Sequence, residues 1–277
     1  MFDFGQPITS RQNPTVKRVC ALCEKKKRYA EELFRFDGIK LFGESLECGL
    51  SIEYAVVSEG ANAAVKSRVA AEIESGRLEC RALLFVSESV FEKISEESSP
   101  EGIVTVAHFP SALHRRVEAA SFGDTDGERI LVAESLRDAG NLGTVIRSCE
   151  ALGIDRLIIS GDCADIYNPK TIRAAMGGLF RLHIDIVREG ELPALISVLR
   201  ENGRRVFAAA LHTDALEIGK LELRSCDCFV VGNEGHGLSQ ETIDACDACA
   251  IIPMRAGSES LNAAAAAAIC IWETVRA

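Results

Sequence analysis

The amino-acid sequence predicts an α/β protein with two domains. Short apolar segments alternate with helical patterns along most of the 277 residues, which indicates a mainly parallel sheet covered on both faces. The alternation lapses between 110 and 128, where the polar, turn-rich stretch SFGDTDGE occurs. We therefore predict a first domain over 1–112, a linker over 113–127 and a second domain over 128–277.

The first domain is predicted to be a small α/β unit. Asn13-Pro14 starts a helix, because Asn caps free amide groups and Pro fits the first helical position. Apolar residues at helical spacing follow, and Lys25 to Arg28 are expected to continue this helix with their side chains toward solvent. The remaining elements are strands over 33–36, 54–57, 82–86 and 103–107, and helices ending near 48 and over 62–75 and 89–94.

The second domain is predicted to alternate more regularly. Its strands cover 130–133, 157–159, 183–187, 206–209, 229–231 and 250–252, and its helices cover 144–152, 171–176, 192–201, 240–245 and 262–275. Ligands of parallel sheets bind beyond the carboxyl ends of the strands. Three loops at such positions are rich in Gly and Asn, and they are the candidate functional loops: 138–143, 232–237 and 253–262.

Charge is spread unevenly along the chain. The net charge of −10 argues against a protein that simply coats nucleic acid. Between Ser10 and Lys40, however, nine Lys and Arg stand against four acidic residues, a local charge of +5 that leaves −15 for the rest. A basic face on an acidic protein suits RNA binding at one place. The alternative is a solvated helix face.

The cysteines indicate the cellular compartment of the protein and not a metal site. Eleven cysteines without a secretory signal indicate a reducing cytoplasm. Two pairs, Cys20–Cys23 and Cys246–Cys249, have metal-like spacing but no accompanying histidine pair, so we predict no metal site and expect small core residues. No membrane span is expected, because the uncharged stretch 261–272 is shorter than the roughly 20 residues that a bilayer needs.

The loop GNEGHG at 232–237 has three glycines, which let backbone approach a ligand closely. It matches neither the dinucleotide nor the triphosphate fingerprint, and a mere tight turn is the alternative. In the last loop, Ser260 and Asn262 stand at a helix start, where capping alone would not require both. In the first loop, Asn141 is expected to cap a helix, and Arg147 near its start opposes the helix dipole unless an anion lies nearby.

In their order and spacing, these loops resemble the three signature motifs of the SpoU (TrmH) family, the ribose 2′-O-methyltransferases of the SPOUT superfamily. The matching segments are LVAESLRDAGNLGTVIRSCEALG, FVVGNEGHGLS and IIPMRAGSESLNAAAAAAICIWE. The amino-terminal ITSRQNPTVKRV is similar to the start of the family's small, ribosomal-protein-like RNA-binding domain. One departure is Asp138-Ala139 where the family has Asp-Pro, which removes a rigid φ from the turn.

The resemblance implies S-adenosylmethionine as cofactor and structured RNA as substrate, with ribosomal RNA favoured over tRNA. It also implies a cytoplasmic homodimer formed through the C-terminal domain, which would carry a deep trefoil knot. The catalytic set would be Asn141, Arg147, Glu234, Ser260 and Asn262. The cofactor-binding set would be Gly232, Asn233, Glu234, Gly235, Ile252, Met254, Ser260 and Leu261. The RNA-binding set would be Arg11, Lys17, Lys25, Lys26 and Arg28.

The residue types fit methyl transfer to a ribose hydroxyl. Because a guanidinium stays protonated, we expect Arg147 to orient a phosphate and stabilise charge rather than act as a base. Glu234 would pair with Arg147, while Ser260 and Asn262 would orient the ribose. Two alternatives remain: a non-catalytic RNA-binding or ribosome-assembly protein with the same fold, and an NAD-dependent oxidoreductase, for which G-x-G-x-x-G after the first strand is missing.

Overall fold

A computed structural model of the chain describes residues 2–123, 125–233, 235–255 and 260–276. It divides into two compact units, one of Met1–Pro110 with Tyr167–Ile172 and one of Ser111–Ile166 with Arg173–Ala277. The predicted boundaries did not anticipate the segment Tyr167–Ile172 in the first unit. Within that unit, the Tyr167 ring stacks on Phe109 with 3.8 Å between the ring centroids.

The first unit contains a four-stranded mixed sheet. Its strand order is β1-β4-β2-β3, in which β4 pairs antiparallel with both β1 and β2, and β2 pairs parallel with β3. The strands are β1 (Leu33–Asp37), β2 (Ile52–Ser58), β3 (Leu83–Val86) and β4 (Ile103–His108). The helices are α1 (Pro14–Ala21), α2 (Lys25–Glu31), α3 (Ile39–Glu47), α4 (Ala63–Glu74) and α5 (Glu88–Ile94).

The start of α1 agrees with the prediction, because the Asn13 side chain accepts from the amide of Thr15 at 2.9 Å. The predicted continuation through Lys25 to Arg28 is wrong, since α1 ends at Ala21 and α2 is a separate helix. Arg28 is only 3% exposed. Its Nη1 donates to the carbonyls of Leu22 (2.8 Å) and Cys23 (2.7 Å), which the end of α1 leaves without helical partners. The Arg28 guanidinium therefore stabilises the end of α1 and is not exposed as predicted.

The cysteines are all free thiols. Cys249 is buried, and Cys20 and Cys246 pack at the edges of hydrophobic cores, as expected. The expectation is wrong for Cys23, which is exposed because α1 ends before it. Among the described residues, no group of three or more His, Cys, Asp or Glu side chains could hold a metal ion.

The second unit contains an eight-stranded sheet of order β10-β12-β9-β11-β6-β7-β8-β5. Its strand pairs are parallel, which confirms the predicted parallel sheet. The strands are β5 (His114–Val117), β6 (Ile130–Ala133), β7 (Arg156–Ser160), β8 (His183–Val187), β9 (Val206–Ala209), β10 (Leu216–Glu217), β11 (Cys228–Val231) and β12 (Ala248–Ile251).

Strand β5 lies inside the stretch 113–127 that was predicted to be a linker. Its polar sequence HRRV gave no apolar signal, because β5 is an edge strand that pairs only with β8. The Arg115 side chain instead pairs with Asp185 of β8, Nε to Oδ1, at 3.0 Å. The short edge strand β10 was missed as well, since its two residues are both exposed.

Helices cover both faces of this sheet. They are α6 (Ala139–Leu152), α8 (Leu192–Glu201), α9 (Gln240–Ala245) and α10 (Ala263–Arg276). Helix α7 (Pro169–Ala175) has residues in both units. On one face, α8 packs in a core with Ile130 and Val132. The alternate residues Leu131 and Ala133 are buried on the other face, where α6 contacts β7 and α10 contacts both α6 and β11. In the described part of the chain, no helix is long and apolar enough to span a membrane.

Candidate active site

Parallel strands end at one edge of their sheet, so the loops that follow β6, β7, β9, β11 and β12 gather at the carboxyl edge of the second sheet. All three candidate loops are among them. A cavity of about 540 Å³ lies elsewhere: Glu128, Asp155 and His183 line it at the amino ends of β6, β7 and β8. The candidate site is the carboxyl edge, which carries the three candidate loops.

The first loop leads into α6 earlier than predicted. The helix begins at Ala139, and Asp138 caps it by accepting from the amide of Asn141 at 2.9 Å. The prediction that Asn141 is the cap is thus wrong, because Asn141 lies within the first turn. Arg147 lies in the third turn, beyond the reach of the dipole effect at the helix start, so the predicted electrostatic conflict does not arise.

The first and third loops meet through two asparagines. Asn262 Nδ2 donates to Asn141 Oδ1 at 3.0 Å. The Oδ1 of Asn262 accepts from the amides of Ala264 (3.0 Å) and Ala265 (3.2 Å), so the same side chain caps α10. One residue therefore both starts a helix and joins two loops that are distant in sequence.

Arg147 is exposed on the same side of α6 as Asn141 and Thr144, at a spacing of three residues. Its guanidinium makes no hydrogen bond or ion pair with any other residue that the structure describes, and it faces solvent. Ser260 and Leu261 are exposed as well, while Ile252 and Met254 are half-buried. Glu234, predicted for both catalysis and cofactor binding, lies outside the described residues.

The second loop folds back tightly on itself. Asn233 and Gly237 exchange two backbone hydrogen bonds of 3.0 Å. A Cβ on Gly232 would lie 2.5 Å from the carbonyl carbon of Gly237 and 2.7 Å from the amide of Leu238, where no atom fits. The close return of the backbone therefore requires glycine at 232. A Cβ on Gly235, which is exposed, would meet only the Asn233 Oδ1 at 3.5 Å.

Sequence reasoning missed Glu134, the residue after β6. Its buried carboxylate accepts from the Ser239 amide (2.8 Å), the Ser239 hydroxyl (2.7 Å) and the Thr242 hydroxyl (2.7 Å). These bonds fix the start of α9 to the end of β6. The signal in the sequence was an acidic residue directly after the apolar run ILVA.

Ser135 and Asp162 were missed too. Asn233 Nδ2 donates to the Ser135 carbonyl at 2.8 Å, and Ser135 Oγ donates to Asp162 Oδ2 at 2.5 Å. Burial raises the pKa of Asp162, but hydrogen bonds from Ser135, Ser160 and Arg137 outweigh it and lower that pKa below its usual value. A cavity of about 200 Å³ adjoins these residues, lined by Glu134, Ser135, Arg137, Asn233, His236 and Ser239.

The loop after β9 has no Gly- or Asn-rich pattern that would mark it as a candidate functional loop. Strand β9 lies between β11 and β12, so this loop lies between the two loops predicted to hold the cofactor. Its first residues extend the pairing with β12, since the Ala210 amide donates to the Ala250 carbonyl at 3.2 Å. Leu211 follows with 67% of its surface exposed. Strand patterns in the sequence do not reveal that a leucine is exposed at this edge of the sheet.

Comparison with family models matches residues 128–272 to the SpoU rRNA Methylase family, and residues 13–105 to the MRM3-like substrate binding domain. The chain belongs to the SpoU rRNA methylase family. The resemblance inferred from the three motifs is thereby confirmed.

Relatives of this SpoU family member match it along nearly the whole chain. The 23S rRNA (guanosine(2553)-2'-O)-methyltransferase RlmP of Bacillus subtilis strain 168 is 30% identical over 265 residues, 96% of this chain and 97% of the relative. The AdoMet-bound rRNA methyltransferase from Sinorhizobium meliloti has a TM-score of 0.82 at 28% identity, and the match covers 99% of this chain and 98% of the other. A crystal structure titled RNA 2'-O ribose methyltransferase gives 0.79 at 30% identity, with 98% of each chain covered.

The first unit of this SpoU protein carries the predicted basic residues. Arg11, Lys17, Lys25 and Lys26 are all exposed. The Lys25 ammonium lies 5.7 Å from the centroid of the Tyr29 ring, and Arg11 Nε donates to the Ser89 carbonyl at 3.0 Å. Of the five predicted RNA-binding residues, Arg28 alone is withdrawn into the protein.

Proposed function

We propose that this protein is an enzyme that transfers a methyl group from S-adenosylmethionine to a ribose 2′-hydroxyl of ribosomal RNA. The activities for which its relatives are named support this reaction, and so does its membership of the SpoU family. The observation that carries the proposal is the bond between Asn262 and Asn141, which joins the third and first motifs beside the exposed Arg147.

The carboxyl edge fits the cofactor chemically. S-adenosylmethionine supplies a methyl group bonded to a positively charged sulfur. The tight loop at Gly232 and Gly235 offers backbone at close approach, and Ile252, Met254 and the exposed Leu261 offer apolar surface. We assign cofactor binding to these residues together with Glu234 and Ser260. The similar methyltransferase from Sinorhizobium meliloti has been described bound to AdoMet.

The chain's own residues would position the substrate. The exposed Arg147 guanidinium orients a phosphate next to the target ribose and stabilises charge there, while the hydroxyl proton passes to phosphate or water. Asn141, Asn262 and Ser260 orient the ribose. Glu234 would pair with Arg147 and fix its direction.

The first unit would bind the RNA. Arg11, Lys17, Lys25 and Lys26 present positive charge to phosphates, and release of counterions favours such contacts at low salt. We propose that this unit carries substrate choice, in agreement with its match to a substrate binding domain. Ribosomal RNA is favoured over tRNA because two relatives that match along nearly the whole chain, the RlmP of Bacillus subtilis and the methyltransferase from Sinorhizobium meliloti, are named for rRNA.

We further propose a homodimer through the second unit, the trefoil knot of the superfamily, and a cytoplasmic location. Helix α10 packs on α6 with one side, while on another side Trp272 is 56% exposed. An exposed tryptophan on a helix that packs against the second sheet suits a contact with a second copy.

The test is methyl transfer from tritiated S-adenosylmethionine to unmodified ribosomal RNA transcripts. We expect transfer by the wild type, and a loss of about 100-fold or more in Arg147→Ala. Arg81→Ala, which changes an arginine with an 85% exposed side chain in the first unit, is the matched control. Transfer to no RNA would favour the non-catalytic alternative. Thermal-shift titration with S-adenosylhomocysteine and with NAD separates the methyltransferase from the oxidoreductase.

A further inference from the structure

A chain of hydrogen bonds crosses three neighbouring strand ends at the carboxyl edge. Asp162 follows β7, Ser135 follows β6 and Asn233 follows β11, and these strands are adjacent in the order β11-β6-β7. Ser135 Oγ donates to Asp162 Oδ2 at 2.5 Å, and Asn233 Nδ2 donates to the Ser135 carbonyl at 2.8 Å. The two outer side chains thus meet through one residue, although they lie 71 positions apart in the sequence.

The Asn233 side chain already makes hydrogen bonds within the protein. Its Oδ1 accepts from the amides of Gly235 (2.8 Å) and His236 (3.3 Å), and its Nδ2 donates to the Ser135 carbonyl. An amide oxygen has two lone pairs and an amide nitrogen has two hydrogens. The Asn233 side chain therefore has a single N–H left for a hydrogen bond to a ligand, so it is poorly suited to bind a cofactor.

Ser135 is held in an unusual backbone conformation. Its φ is +54°, in the left-handed region that residues with side chains rarely adopt. The conformation directs the carbonyl toward Asn233, while the amide donates to Ser160 Oγ at 2.8 Å. Ser160 Oγ in turn donates to Asp162 Oδ1 at 2.6 Å. Asp162 therefore anchors both the hydroxyl of Ser135 and the acceptor of its amide.

We propose that Asn233 is a positioning residue and not a cofactor ligand, and that Asp162 acts through Ser135 and Asn233 to hold the loop 232–237 in its tight form. The inference deepens the proposed function, on which it rests, because this loop includes Gly232 and Glu234. We call the chain of hydrogen bonds from Asp162 through Ser135 to Asn233 the relay. Through the relay, Asp162 affects methyl transfer, although Asp162 follows a different strand from the loop that it fixes.

Hydrogen exchange tests the relay without RNA. In Asn233→Asp, the donor to Ser135 becomes an acceptor while the size of the side chain is kept. We expect amide exchange of the peptide 232–239 to become about fivefold faster or more in Asn233→Asp and in Asp162→Ala. The double variant is expected to exchange no faster than the faster single variant, because both changes break one chain. Asn202→Asp, on an exposed residue at the end of α8, is the control for the added charge.

Steady-state methyl transfer to ribosomal RNA transcripts tests the consequence. A positioning role lowers kcat about tenfold or more at saturating S-adenosylmethionine, and the losses in the two single variants do not multiply in the double variant. A cofactor ligand instead raises KM for S-adenosylmethionine and leaves kcat unchanged, which would overturn the proposal. Multiplying losses, or unchanged exchange of 232–239 in Asp162→Ala, would overturn it as well.

Two additions let the experiment decide even if a variant unfolds or the wild type methylates no RNA. If Asp162→Ala unfolds, Ser135→Ala removes the same hydroxyl-to-carboxylate bond while its backbone carbonyl remains, and the double variant is built on it. If the wild type methylates no RNA, the proposed function has failed, whereas hydrogen exchange still decides whether the relay exists. Partial retention of activity in Asp162→Asn, which keeps one acceptor oxygen, is the expected rescue.

Discussion

Replacement of Gly232 by alanine probes the tight second loop. The new Cβ would lie 2.5 Å from the carbonyl carbon of Gly237, 2.6 Å from its oxygen and 2.7 Å from the amide nitrogen of Leu238. All three neighbours are backbone atoms, so the loop itself must move. Overpacking of this kind costs about 1–3 kcal/mol.

The cost translates into weaker cofactor binding. If the loop must open by that amount and only the closed loop binds, the competent fraction falls by about 5- to 150-fold, at about 1.4 kcal/mol for each factor of ten. Isothermal titration with S-adenosylhomocysteine measures the change, and thermal unfolding checks that the domain remains folded. Gly219→Ala is the control, because a Cβ there meets no atom within 4 Å. An affinity of Gly232→Ala within twofold of the wild type would refute the reasoning.

Three further predictions concern the other parts of the molecule. Asn262→Asp keeps the cap of α10 but loses the donor to the first loop, so we expect unchanged thermal stability and about tenfold slower methyl transfer; equal activity would contradict this. Lys25→Ala combined with Lys26→Ala is expected to weaken RNA binding and reduce the salt slope by about 1–2, measured by filter binding over a salt series. Burial lowers the pKa of His114 to about 4. Below pH 6.5 this side chain therefore binds a proton in the unfolded chain but not yet in the folded protein. Between pH 7 and 5 the wild type is therefore expected to lose about 1–2 kcal/mol more stability than His114→Gln in urea titrations. The change at exposed His212→Gln is expected to leave this pH dependence unaltered.

Most of the fold could be predicted because its elements have strong local signals. The Asn13-Pro14 start of α1, the end of α6 at residue 152 and the apolar strands of the second sheet were all predicted from the sequence. Strand β5 was not, because its Arg115 is stabilised by Asp185 on another strand. A pairing partner that lies far along the chain leaves no local pattern.

The site was predicted in outline and not in its connections. The resemblance supplied Asn141 and Asn262, but only the structure joins them, because hydrogen bonds between loops carry no periodicity. The same limit explains Arg28: a basic residue in a basic run looks like a solvent-exposed charge, and its burial depends on where α1 ends. Glu134 and Asp162 likewise look like ordinary surface acids until their donors are known.

Those two acids also bear on how an acidic protein can act on RNA. Glu134 accepts three hydrogen bonds from Ser239 and Thr242, and Asp162 accepts from two serines and pairs with Arg137 at 3.2 Å. Their charges are thus directed into the protein, where they hold loops together, while Arg147 remains exposed at the same edge. The net charge of −10 therefore says little about the potential that a phosphate meets at this edge. What matters there is which charges the fold already satisfies, and those of Glu134 and Asp162 are satisfied.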